Sequence, residues 1–375
     1  MKVGEVKNLL LNLWEVERDS REKTSVFLLG APGVGKSTLV KEAAREFAER
    51  LGKEFVEYTD DIAFEVLNSP EKYFVFVDLR LTEIEAADLS GIPRDIDGAV
   101  TYKPLLWARV LSKVPGVLFL DELTNENDPN KLASAYKLIL DRSAGFIRFS
   151  DDVFIVAAGN SPEHSAVANQ LPAPLINRLI VIEVTAPTVD EWKAWIVQHY
   201  GDAWDIRTYA FLKAFEAEGY LLRTPEDPET LSNYPTPRSW TKLALLLKKG
   251  IVGPEVIDGL IGPEVGTRFS AFVRARVDLD ALLTDPEKFE ELELDKKYMA
   301  ALMLASHLER KASDDRAYDL IKVMGAESPE YVVVTLLMMN TKAREKVVAQ
   351  IFRVAPQIAN QLVDVVSIRM KVKAN

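Results

Sequence analysis

The chain has 375 residues, 48% apolar and 27% charged, with a formal net charge of −11, no cysteine and three scattered histidines, His164, His199 and His307. That composition is of the soluble globular kind and excludes disulfides, thiol catalysis and thiolate metal centres, while the acidic balance opposes broad binding to nucleic acid. The longest apolar run, Tyr331–Met339, is broken by Thr335 and falls short of the ~20 residues that span a bilayer, and Met1–Glu5 leads into no signal-peptide core, so a cytoplasmic location is the expectation.

Residues 1–24 read as an amphipathic helix carrying Val6, Leu9, Leu10, Leu13 and Trp14, then a charged turn. Ser25–Leu29 is a short apolar run of buried-strand type, stopped by Gly30, and helical sequence follows from Lys36 to about Leu51. Further apolar runs at Tyr73–Val77, Gly116–Leu120, Val153–Val156 and Leu179–Ile182 alternate with helical or loop sequence. Together they predict a parallel five-stranded sheet covered on both faces, an α/β domain over residues 25–187. Asp97-Gly98 ahead of Ala99–Tyr102 is a hairpin signal, so the interruption near 89–104 is either an inserted hairpin or a plain surface loop. From Thr188 the strands stop. Residues 188–276 are helix-rich, with a loop punctuated by Pro225, Pro228, Asn233, Pro235 and Pro237, and 277–375 form a helical C-terminal extension with acidic turns.

Two motifs carry chemistry. Gly30-Ala31-Pro32-Gly33-Val34-Gly35-Lys36-Ser37, followed by Thr38, fits a phosphate-binding loop at every fixed position, between a strand and a helix. The glycines let successive N–H groups face phosphates; Lys36 can bridge the β- and γ-phosphates of ATP, and the Ser37 hydroxyl can coordinate Mg²⁺. Val117–Glu122 is a buried strand ending in two carboxylates. Placed beside the loop's strand, Asp121 suits the Mg²⁺ shell and Glu122, one step beyond, suits polarising the attacking water. Asn160, after Gly159, is either a turn-former or a polar group that orients that water. Arg178, just before the fifth strand, is either a helix-capping cation or an arginine that reaches a neighbouring subunit's ATP. Arg238 opens a helix, where the dipole disfavours a cation, so an anionic partner explains it.

The ordered set GAPGVGKST, VLFLDE, AAGN, LINRL and PTPRSW resembles an AAA+ ATPase over roughly residues 25–250, and is most similar to the MoxR-like branch with its hairpin inserted in the second helix. The resemblance implies a P-loop NTPase three-layer sandwich followed by an all-helical AAA+ lid at 188–276. It further implies Asn160 as sensor one, Arg178 as arginine finger, Arg238 as sensor two, and assembly into a ring, commonly hexameric. MoxR-like proteins are associated with chaperone-like maturation or disassembly of a protein partner, often one with a von Willebrand A domain. The competing reading is an AAA+ ATPase acting on nucleic acid (a loader, viral replication or restriction-linked protein), for which Arg94 and Lys103 of the insert are the only foothold. Three departures stand out. Leu-Thr-Asn-Glu-Asn after Glu122 lacks the usual basic residue, the finger motif reads Asn-Arg-Leu, and the tail after about 277 matches no known pattern.

Overall fold

Tyr73–Val77, Val117–Leu120 and Val153–Ala158 contain no charged residue and are buried along their whole length, as strands covered on both faces must be. They form the middle of a sheet in the computed structural model, which describes residues 1–18, 20, 23–161, 168, 169, 171–225, 232–251, 253–275, 277–358 and 362. His164, Pro228, part of the charged turn and the end of the C-terminal extension lie outside the described residues. The strands are β1 (Ser25–Leu29), β2 (Glu54–Glu57), β3 (Tyr73–Arg80), β4 (Ile92–Ile96), β5 (Ala99–Lys103), β6 (Gly116–Asp121), β7 (Ser143–Ala144), β8 (Ile147–Arg148), β9 (Val153–Gly159) and β10 (Leu179–Glu183).

The main sheet is wholly parallel in the order β10-β1-β9-β6-β3-β2. It has six strands where the apolar runs predicted five. The extra one, β2, is an edge strand of four residues whose two apolar members, Phe55 and Val56, stand between carboxylates and are only half-buried. So short a run on a one-sided strand leaves no periodic signal.

Helices cover both faces. On one, Trp14 of helix Val3–Glu17, Phe47 of helix Lys36–Arg50, Phe74 and Phe154 meet ring to ring, with centroids 5.4–5.8 Å apart. The first helix buries Val6, Leu10, Leu11 and Trp14 and leaves Leu9 36% exposed, so Leu11 takes the place in the core that the spacing offered to Leu9. On the other face Val75, Val77, Leu118, Leu120 and Ile155 pack against Ala108, Leu111, Leu138 and Ile139. Two hairpins, β4–β5 and β7–β8, stand outside the main sheet; Asp97 and Gly98 turn the first with φ of 54° and 79°, both in the left-handed region that a two-residue turn requires.

The chain divides into two compact units, Met1–Pro187 with Thr224–Thr230, and Thr188–Arg223 with Leu231–Asn375. The second is helical throughout its described secondary structure, and one apolar core runs from Val189 to Leu362. Phe211 centres it, with the rings of Phe215, Tyr220, Trp240, Phe269 and Phe272 within 4.9–5.7 Å. Residues on either side of position 276 share polar contacts as well: the Tyr209 hydroxyl lies 2.8 Å from Asp190 and 2.6 Å from Glu330, with Lys213 ion-paired to both carboxylates. Among the described residues no helix is long and apolar enough to cross a membrane.

Helix Asp315–Glu327 depends on its cap. Asp314 accepts hydrogen bonds from the Arg316 N–H and guanidinium and lies 3.0 Å from His307 Nε2. The Arg316 hydrogen bonds hold its carboxyl well below the usual carboxylate range. A depressed carboxylate stabilises the fold fully above its unfolded value of about 4 and loses that contribution as the pH falls. Asp314→Ala is therefore expected to destabilise the second unit by ~1 kcal/mol at neutral pH. The gap to the native chain should narrow as the pH drops below about 4. Urea melts across that range check it, and a gap independent of pH would discard the electrostatic account.

Candidate functional site

β1 ends at Leu29, and the chain curls through Gly30–Gly35 before helix Lys36–Arg50 begins. Gly33 and Gly35 have φ of 76° and 103°, a backbone that a side chain would strain, and this is what lets the loop close tightly over a helix N-terminus. Ala31 and Val34 are buried and anchor the loop from beneath, Pro32 is half-buried, and Thr38 is exposed in the first turn of the helix. Lys36 is 8% exposed, and its ammonium donates to the carbonyls of Gly30 (2.8 Å) and Ala31 (3.0 Å) and to Asn160 Oδ1 (3.1 Å). Its charge rests on the carbonyls at the start of the loop.

Ser37 Oγ donates to Asp121 Oδ2 at 2.8 Å. The two come together although their strands are not neighbours. β9 lies between β1 and β6, contrary to the expectation that the Asp121 strand sits beside the loop's strand, and helix Lys36–Arg50 crosses β9 to bring Ser37 over β6. A hydroxyl and a carboxylate at one point are oxygen donors of the kind Mg²⁺ takes. Mg²⁺ commonly keeps waters and phosphate oxygens for the rest of its shell and takes one or two protein donors of this kind.

Glu122 leaves the strand in the left-handed region, φ 62° and ψ 30°, a conformation that costs a non-glycine residue about 1–2 kcal/mol. The turn swings its carboxylate toward the end of β3. There Oε2 accepts from the Thr82 hydroxyl at 2.5 Å and Oε1 lies 3.8 Å from Arg80 Nε. Arg80 is opposite Asp121 in the ladder and is held above its ordinary pKa by the hydrogen bond to Glu83. Asp78, on the same face of β3, is pushed up to about 6 by loss of solvent and by the charge of Asp121.

Asn160 closes the set from the end of β9. Its N–H donates to Thr124 Oγ1 (2.7 Å), and that hydroxyl lies 3.1 Å from its carbonyl. Gly159 permits the approach, since a Cβ there would meet Thr124 Oγ1 at 2.6 Å. Asn125 Oδ1 stands 3.5 Å from the Asn160 amide, at the limit of a hydrogen bond. The structure thus brings together Lys36, Ser37, Asp121 and Asn160, with Glu122 adjacent. Thr82, Arg80, Thr124 and Asn125 join them without any signal in the sequence, except that Thr124 and Asn125 belong to the stretch that departs from the family pattern.

The two arginines are elsewhere. Arg178 is exposed, and Leu179 after it pairs with Ser25 at the start of β1, so Arg178 stands at the opposite end of the sheet from Gly30. Arg238 belongs to the second unit, exposed in the first turn of helix Pro237–Lys248, whose N-terminus is capped by Thr236 and Ser239.

Residues 4–189 match the family model described as the AAA ATPase domain. No curated protein matches. Similar solved structures are distant. Caenorhabditis elegans PCH-2 is 14% identical with a TM-score of 0.32, over 73% of this chain and 64% of that one, so the chain spans less than two thirds of its length. Aeropyrum pernix ORC1 in complex with DNA is 12% identical with a TM-score of 0.40, over 94% and 84%. The Thermotoga maritima RuvB Holliday junction branch migration motor is 14% identical with a TM-score of 0.33, over 75% of this chain and 74% of that one.

Proposed function

From an AAA ATPase domain over residues 4–189, we propose that the chain is an ATP hydrolase of the MoxR-like AAA+ type that works as an oligomeric ring and remodels a protein partner. The observation that carries the hydrolase reading is the contact of Ser37 with Asp121, 84 residues apart, beside a buried Lys36. Bound Mg²⁺ would supply charge neutralisation to the phosphates from Ser37 and Asp121. Lys36 leaves the Gly30 and Ala31 carbonyls for the phosphate oxygens, while Asn160, fixed by Thr124, orients a water. Glu122 turns from Thr82 and takes that water's proton as its oxygen bonds to the γ-phosphorus. The bond to the bridging oxygen breaks, and ADP and phosphate leave. Arg178 completes a neighbour's site, and Arg238 reports the nucleotide to the helical lid at 188–276, to which residues 277–375 are an addition.

Lys36→Ala is expected to weaken ATP binding at least ~10²-fold, since it removes a charge-assisted contact to two phosphates. Calorimetric titration measures it, and unchanged affinity would end the P-loop assignment. The partner's class is tested by capture on a Glu122→Gln chain loaded with ATP, with Lys36→Ala as the control. Retention of a polypeptide that ADP releases supports remodelling of a protein. Retention of nucleic acid instead replaces this reading by the nucleic-acid one.

A further inference from the structure

Every residue of β4 and β5 is exposed, including Ile92 at 48%, Ile96 at 58%, Val100 at 69% and Tyr102 at 41%. Two strands alone are marginally stable, and side chains of this kind are kept in water only at a cost. The ladder shows how the hairpin sorts them. Ile92 faces Lys103, Arg94 faces Thr101 and Ile96 faces Ala99 on one side; Pro93 faces Tyr102 and Asp95 faces Val100 on the other.

The second side is braced. The Tyr102 ring lies 5.7 Å from Phe146, at the turn between β7 and β8. Phe146 is steadied by Lys137, whose ammonium lies 5.2 Å from the ring centre and donates to the Gly145 carbonyl at 2.7 Å. Charge is sorted the same way. The carboxylate of Asp95 is on the braced side and accepts from the Gly98 N–H at 3.1 Å, and Asp97 is spent in the turn. The free side carries two aliphatic side chains and two cations, Arg94 and Lys103, which have no ion-pair partner among the described residues.

Resting on the remodelling function proposed above, we propose that this free face of the β4–β5 hairpin, Ile92–Arg94–Ile96 with Lys103, docks an acidic, aliphatic segment of the protein partner. In a chain of net charge −11 it is a local cationic face onto which such a segment can settle without meeting a carboxylate. Nucleic acid fits it poorly. Strands without sequence preference are held by aromatic stacking and a long basic track, whereas this face has no aromatic ring and two cations, with isoleucines where phosphates would run.

The test uses the full chain with ATP and a fluorescein-labelled peptide of alternating Glu and Leu, read by anisotropy, with an oligothymidylate of equal charge as competitor. The peptide should bind and the oligonucleotide should fail to displace it. Arg94→Glu combined with Lys103→Glu should weaken the peptide roughly tenfold or more, and Ile96→Ser should weaken it too. Val100→Ser, on the braced side, should leave it unchanged. Displacement by the oligonucleotide, or peptide affinity indifferent to the charge reversal, overturns the proposal. So does absence of peptide binding with the charge reversal instead changing subunit number in native mass spectrometry, which would give the face to another copy of the chain. ATP affinity of the hairpin variants, expected to match the native chain, reports folding; a native chain that hydrolyses ATP but binds no peptide would sink this inference alone and leave the ATPase reading standing.

Discussion

Glu122→Gln should bind ATP with native affinity and hydrolyse it ~10²-fold or more slowly, the scale of lost general-base catalysis. The amide keeps the volume of the carboxylate and can still meet Thr82, so the left-handed turn at position 122 and the Ser37–Asp121 contact should survive. What disappears is the capacity to accept the water's proton. Asp121 is a poor substitute, since its oxygens are engaged by the Ser37 hydroxyl and the Glu122 N–H at 2.8 and 2.9 Å. Phosphate release at saturating ATP, set beside a calorimetric affinity, separates the two effects. Near-native turnover would mean that another residue polarises the water, and Asp78, on β3 within the field of Asp121, would be the first to replace.

The residues of this site were legible in the sequence to different depths, for physical reasons. The Gly30–Ser37 loop and the Asp121-Glu122 pair are local: each is a run of neighbours whose strand, turn and helix context is written within a dozen or so positions. The position of β9 between β1 and β6 is not local, because chain order carries no record of which strands pair, and so the reach of Ser37 across an intervening strand was invisible. Thr82 and Thr124 act through contacts spanning 40 and 36 residues, and hydroxyls of this kind occur on every surface. The edge strand β2 escaped because half of its four residues are charged. In the second unit the sequence showed helix-rich stretches, yet nothing in the spacing tied Tyr209 to Glu330, 121 positions away. Their contact places the residues beyond 277 in the same core as the helices before them.

Arg178→Ala is expected to bind ATP and to lose ~10³–10⁵ in hydrolysis, the worth of an arginine supplied to a phosphoryl transfer. The register of the sheet is the reason to expect it to act on another subunit. Leu179 pairs with Ser25, while the phosphate loop starts at Gly30, five residues further along a strand that climbs about 3.3 Å per residue, so Arg178, one position before Leu179, begins ~20 Å from its own loop at the other end of the sheet. A side chain cannot span that distance along a packed strand. Mixing Arg178→Ala subunits with Glu122→Gln subunits then discriminates. An interface that joins the phosphate loop and Glu122 of the first to Arg178 of the second is complete, although each parent is inactive. With random assembly about a quarter of the interfaces in a closed ring are of that kind, which against parents reduced by ~10² or more is a recovery well above background. Native mass spectrometry confirms that mixed rings have formed before phosphate release is read. Mixed rings that stay inactive would assign Arg178 a structural place at the foot of β10 and leave the transition-state charge to some other cation.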